Sequence, residues 1–284
     1  MRIIDAHTHI LPPEIIARRE EYCQRDRCFG MLYASPRARL ADAGELLASM
    51  DGAGVDMAVV FGIAFADLGL CRLCNDYVLD AARQHPLRLF PFALAAPYAR
   101  DQAWREVRRC LEAGAAGIGE LMPDGQGFAL TDFELLDPLM ALARAYKAPA
   151  MAHVNELVGH DYAGKGTQGP HQAYLCASHY PQNTLIFSHW GGGLPFYELM
   201  PEVRSVLSNV YYDTAASSYL YEDAIFQYVA GWAPAKILWG SDYPLLKQRP
   251  FLQRVTNLGL DPIALANVLG GNALAVLGVN REAT

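Results

Sequence analysis

The sequence is sparing with the features that mark several classes of protein. Six cysteines in 284 residues are too few for a disulfide scaffold. The one CxxC, Cys71 to Cys74, would need Cys23 and Cys28 to build a four-thiolate cluster, at a spacing looser than such sites use. Reduced, partly buried thiols are expected instead. Lysine and arginine total 23 against 30 acidic residues, a formal net charge of −7. That leaves no general basic field for a phosphate backbone and argues against a nucleic-acid partner. No apolar run approaches the ~20 residues of a membrane span, and the first residues show no charged stretch followed by an apolar one. A cytoplasmic protein with no membrane partner is expected. A glycine-rich phosphate-binding turn after an early strand, the mark of a doubly wound nucleotide-binding sheet, is also missing. With no internal repeat, low-complexity tract or linker, residues 1–284 read as one domain.

What the chain has is a large apolar share, 52% against 19% charged, and a regular alternation. Short β-branched or aromatic runs at 2–7, 56–62, 88–95, 116–120, 148–154, 184–190, 210–214 and 236–242 read as strands. Amphipathic stretches such as 43–53, 71–85, 101–113, 132–146 and 221–231 lie between them, many closed by glycine or proline stop signals. Eight buried-looking strands, each followed by a helical stretch, predict an α/β fold, a (β/α)8 TIM barrel. Two connections are too long for plain βα turns: 11–42 after strand one and 155–169 after strand five. Loops of that length lie over the mouth of a barrel and shape a pocket. The first carries Arg18, Arg19, Arg25, Arg27, Arg37 and Arg39, candidates to hold a substrate carboxylate. Residues 262–278 read as one or two extra C-terminal helices.

The opening stretch MRIIDAHTHI places His7 and His9 two residues apart, so an extended strand turns both imidazoles to one side. Strand four ends in Glu120, strand five in His153, strand six in His189 and strand eight in Asp242. In a barrel, all six side chains face the top of one cavity. Taken singly, each has an ordinary use: a hydrogen-bonded core histidine, a helix cap at Glu120, a turn at Asp242. Taken together they would bury several ionisable groups at a cost of several kcal/mol each without a cation. A divalent metal removes that cost, and nitrogen and carboxylate donors without thiolate favour zinc over manganese, iron or cobalt. Of the other histidines, His85 and His179 precede prolines and read as structural or exposed. His160 and His171, with Tyr162 and Lys165, sit in or beside the second long loop and are candidate substrate contacts.

DAHTHI, the strand-five histidine, SHWGG and GSDYP resemble the amidohydrolase superfamily, and more narrowly the amidohydrolase-related branch that includes aminocarboxymuconate semialdehyde decarboxylase. The closing GGNALAVLG resembles the C-terminal helix of that branch. The resemblance implies metal ligation by His7, His9, His153 and Asp242, with His189 either a second-metal ligand or the group that polarises the substrate. Where dinuclear members often carry a carboxylated lysine, this chain has Glu120, which a minority use as the bridge. One or two ions are thus open, and a homodimer is plausible by the same resemblance. The leading expectation is hydrolysis of an amide, lactone or ester of a small metabolite. Metal-generated hydroxide attacks, Asp242 shuttles the proton, and His189 or a second metal polarises the carbonyl. The alternative is non-oxidative decarboxylation of a small unsaturated or aromatic acid, with Asp242 and His189 delivering a proton to carbon. A catalytically inactive binding protein is the third reading, disfavoured by the intact set of strand-end residues.

Overall fold

The computed structural model describes residues 1–279. Its eight strands are β1 (Ile4–His9), β2 (Met57–Phe61), β3 (Leu89–Ala93), β4 (Gly117–Leu121), β5 (Ala150–Ala152), β6 (Leu185–Phe187), β7 (Val210–Asp213) and β8 (Ile237–Leu238). They pair in sequence order and every pairing is parallel. The ends meet where Ala6 N–H donates to Trp239 O, Asp242 N–H to His7 O and His9 N–H to Tyr243 O, at 2.8 to 3.0 Å. The sheet closes on itself, and the expected barrel is the observed one.

Alternation along each strand divides the apolar residues between two cores. Met57, Val59 and Phe61 of β2 share a buried cluster with Phe92, Met151, Ile186 and Leu238, the packed filling of the barrel. Ala58 and Val60, pointing the other way, join a cluster under the surrounding helices. Gly117 is required by this filling, because a Cβ there would run into the ring of Phe92.

The connections differ from the sequence reading in detail. Residues 11–42 are largely helical, with Pro13–Ala17, Arg19–Arg25 and Arg27–Tyr33 laid end to end before Asp42 caps the helix Ala43–Ala53 through a capping box. Strand six stops at Phe187, short of the expected 190, because His189 begins a left-handed turn. Strand eight is only two residues long, the rest of 236–242 being spent on reaching β1. Residues 262–276 form two helices joined by a π-turn. All six cysteines are free thiols, and no thiolate cluster occurs among the described residues.

Candidate metal centre

The strand ends bring together two donor sets. His7, His9 and Asp242 form one, and Glu120, His153 and His189 the other, with the ligand atoms of each within 4.8 Å of one another. Local backbone aims them. β1 carries His7 and His9 with their Nε2 atoms 3.1 Å apart, and Gly240 lets the chain after β8 press against His7, where a Cβ would collide. His189 and Asp242 take left-handed backbone, φ 56 and 60, which costs a non-glycine residue about 1–3 kcal/mol. Each is held there: His189 N–H donates to Asp213 Oδ1 at 3.0 Å, and Asp242 N–H to His7 O. The run HWGGG is the reason for three glycines, since Gly191, Gly192 and Gly193 continue the same left-handed turn.

The hydrogen bonds on the outer side of each imidazole set its tautomer. His7 Nδ1–H donates to Asp213 Oδ2 at 2.9 Å, and His9 Nδ1–H to Gly62 O at 2.8 Å. His189 Nδ1–H donates to Ala215 O at 3.1 Å, and His153 Nε2–H to Asn155 Oδ1 at 3.2 Å. Each ring therefore turns a lone pair inward. His7 Nε2 faces His9 Nε2, and His189 Nε2 faces His153 Nδ1 at 3.0 Å, pairs that repel unless something positive lies between them. Glu120 stands between the sets, Oε2 3.7 Å from His7 Nε2 and Oε1 3.2 Å from His153 Nδ1. Asp242 Oδ1 is 3.2 Å from His9 Nε2. With metal–donor bonds of about 2.0–2.2 Å, ligands on one tetrahedral cation lie a little over 3 Å apart. The residues fit a divalent cation.

The charges agree. Burial opposes protonation of His7, yet Asp213, Glu120 and Asp242 lift it to about 10. His189 rises against the same penalty to about 9, through Glu120 first. Burial works against the two carboxylates as well, but neighbouring imidazoles hold Glu120 well below its ordinary value and bring Asp242 down to about 2. The acids demand positive charge, whether protons or a cation supply it.

Above the donor sets lies a cavity of about 440 Å3. His160 and Tyr162 line it, as do Arg37, Arg39, Tyr33 and Met122. Lys165 does not: its ammonium is spent on the carbonyls of Val158, Gly159 and His160. His171 is exposed at the start of the helix Pro170–His179, away from the cavity. Neither of these two side chains lines the cavity. Sequence reasoning passed over Asp213, Asn155 and Tyr33. Asp213 ends β7 as the other site residues end their strands, a signal that was available; Asn155 and Tyr33 offered none. Burial, with Asp242 nearby, keeps the Tyr33 phenol protonated.

A closed (β/α)8 barrel with imidazoles and carboxylates converging at one rim defines a metal-dependent barrel enzyme. The amidohydrolase family model matches residues 4–279, and the chain belongs to that family. No curated protein sequence matches it. Among solved structures it is similar to 5-carboxyvanillate decarboxylase from Novosphingobium aromaticivorans, complexed with manganese and 4-hydroxy-3-methoxy-5-nitrobenzoic acid (18% identity, 98% of this chain and 96% of that one, TM-score 0.79). It is also similar to 2,6-dihydroxybenzoate decarboxylase from Rhizobium (16%, 98% and 99%, TM-score 0.72). A third is 4-oxalomesaconate hydratase from Rhodopseudomonas palustris (17%, 97% and 95%, TM-score 0.66). At these identities the likeness is one of fold.

Proposed function

We propose that the protein is a metal-dependent, non-oxidative carboxy-lyase acting on a small aromatic or unsaturated carboxylic acid. The observation that carries this reading is the cavity: a largely apolar, tyrosine-walled space of about 440 Å3 whose floor is the donor sets. A flat acid fits such a space with its carboxylate toward the cation. That two of the similar folds are decarboxylases of aromatic acids supports it. A bound cation, zinc by donor chemistry with manganese the nearest rival, would supply a positive centre that orients the substrate and withdraws charge from it. His7, His9, His153 and Asp242, with Glu120 and His189, would hold one ion or two.

The remaining work belongs to the chain. Of the six arginines in residues 11–42, Arg18 pairs with Glu14 and Glu21, Arg25 with Asp67, Arg19 with Ser35 O and Arg27 with the carbonyls of Asp124 and Gly125. Arg37 and Arg39 have no such side-chain partner among the described residues, and both line the cavity. They hold an anionic or phenolic oxygen of the substrate, while Tyr33 and Tyr162 bound its faces. Asp242, ionised at rest, takes up a solvent proton and, with His189, delivers it to the carbon that bears the carboxylate. The carbon–carbon bond breaks, carbon dioxide leaves, and one C–H bond replaces one C–C bond.

Glu120, placed between two donor sets, favours a second reading, hydrolysis at a two-ion centre, in which Asp242 takes the proton of the attacking water and returns it to the leaving group. Protein loaded with zinc or manganese, incubated with panels of aromatic and unsaturated acids and of amides, lactones and esters, separates the two. Carbon dioxide released from an acid, with no cleavage in the second panel, is the expected result. Cleavage in the second panel without carbon dioxide from the first overturns the proposal.

A further inference from the structure

Three of the four site imidazoles are oriented from the barrel itself, by Gly62 O, Ala215 O and the Asp213 carboxylate. His153 is different. Its outer nitrogen meets the side-chain amide of Asn155, a fully buried residue that begins the long loop 155–169.

The orientation of that amide is settled by its other contacts. Asn155 Oδ1 also accepts the backbone N–H of Gly166 at 2.9 Å, and Nδ2 faces Asp124 Oδ2 at 3.5 Å. Turned over, the amide would set its NH2 against the Gly166 N–H and take its donor away from the Asp124 carboxylate. With the oxygen toward the ring, only the Nε2–H tautomer of His153 makes a hydrogen bond, and its Nδ1 lone pair then points at Glu120 and His189. Asp124 is anchored in turn. It follows β4 in the short helix Pro123–Gln126, and its carboxylate accepts from Thr167 N–H and Oγ1–H at 2.9 and 2.8 Å and from Gln168 N–H at 3.2 Å. The backbone of Asn155 is fixed from two further sides: its N–H donates to Gln168 O at 2.8 Å, and its carbonyl packs where Gly192 has no Cβ.

We propose that Asn155, braced by Asp124, is a positioning residue that holds His153 in its metal-facing tautomer and so couples the loop 155–169 to the metal centre. The same loop brings His160 and Tyr162 to the cavity, so whatever displaces the loop disturbs the imidazole that Asn155 holds, while the outer partners of the other three lie outside the loop. The inference rests on the metal centre and not on which reaction the site performs.

Zinc titration of the chelator-treated full chain tests it without turnover. Loss of an outer hydrogen-bond partner of a liganding histidine lowers metal affinity about 10–100-fold, and that is the expected result for Asn155→Leu. In 15N-resolved spectra of zinc-loaded protein, the His153 Nε2–H proton, protected in the wild type, should exchange freely in that variant. Asn155→Asp combined with Asp124→Asn keeps an acceptor for Nε2–H and reverses the hydrogen bond between positions 155 and 124, so the double variant should recover both affinity and signal relative to Asn155→Leu. Asp124→Asn, at a partly exposed position that spares the core, should weaken zinc a few-fold and loosen the same proton, which keeps the test decisive if the leucine variant does not fold. Wild-type affinity and an unchanged His153 signal in Asp124→Asn, with or without the leucine variant, overturn the proposal. So does a double variant as impaired as Asn155→Leu, because shape and not the acceptor would then be what matters.

Discussion

Asp213 and Asp242 both stand at the C-terminal rim of the barrel, yet their surroundings assign them different work. Asp213 is fully buried and its oxygens serve His7 Nδ1–H and the N–H groups of His189 and Ala215. It has no capacity left for a substrate. Asp242 faces the cavity, ionised down to about pH 2 by the imidazoles around it once they outweigh its burial. Replacing Asp242 by Asn keeps an oxygen donor and removes the carboxylate that carries the proton. Turnover should fall about 10²–10⁴-fold while metal content, read by elemental analysis, falls far less; near-wild-type turnover would remove the proton role. Asp213→Asn should do the reverse, weakening metal about 10–100-fold in a chelator competition and changing turnover little once metal is saturating. The six strand-end residues were legible because a strand's last residue faces the barrel mouth wherever the strand lies. Asp213 was legible by the same rule. Asn155 was not, since an asparagine after a strand looks like any loop residue until its amide is seen between His153, Gly166 and Asp124.

Among the elements, the left-handed turn from His189 to Gly193 is the most demanding local structure of the site. Trp190, fully buried, donates its indole N–H to Ser217 Oγ at 2.7 Å and packs on Phe226, which pins the turn to the neighbouring βα unit. Gly192 has φ 62 and sits against the carbonyl of Asn155. An alanine there meets both a disfavoured backbone and a collision, so Gly192→Ala should cost upwards of about 1–3 kcal/mol, seen as a lower denaturation midpoint, and should weaken metal binding because His153 and His189 both adjoin the turn. An unchanged midpoint would show that the turn relaxes freely. The strand-then-helix rhythm was readable from composition and stop signals. The lengths of β6 and β8 were not, because both are cut short by turns that the site requires and that apolar patterning does not encode. The helical content of residues 11–42 was hidden for a related reason: three short segments, none with a long amphipathic repeat, become helices against the barrel they cover.

At the scale of the whole molecule, acids and imidazoles from six strands share one charge balance. His7 and His189, both lifted above the ordinary 6.5 to about 10 and about 9, are protonated at pH 7 in the chelated protein. Zinc binding should therefore release about two protons near neutrality, measurable by calorimetry in buffers of different ionisation enthalpy, and zinc affinity should fall as pH drops. Raised histidine pKa values also place a sign on stability. In the chelated protein their contribution is complete below pH about 6.5 and is lost as pH rises through about 9 and about 10. Denaturation midpoints of chelated protein should decline over that alkaline window, and those of zinc-loaded protein much less. Equal declines would mean that the imidazoles do not carry the charge assigned to them.

The amino-acid order alone determined the barrel and which imidazoles and carboxylates stand at its strand ends, since hydrophobic alternation and strand-end position are local properties that a chain displays before it folds. Tertiary structure decided which imidazole nitrogen faces inward, which two of the six arginines in residues 11–42 have no side-chain partner among the described residues, and that Lys165 and His171 turn elsewhere. Several of those outcomes depend on partners far along the chain, such as Asp213 for His7 and Gly62 O for His9, and distance along the chain says nothing about distance across a closed sheet.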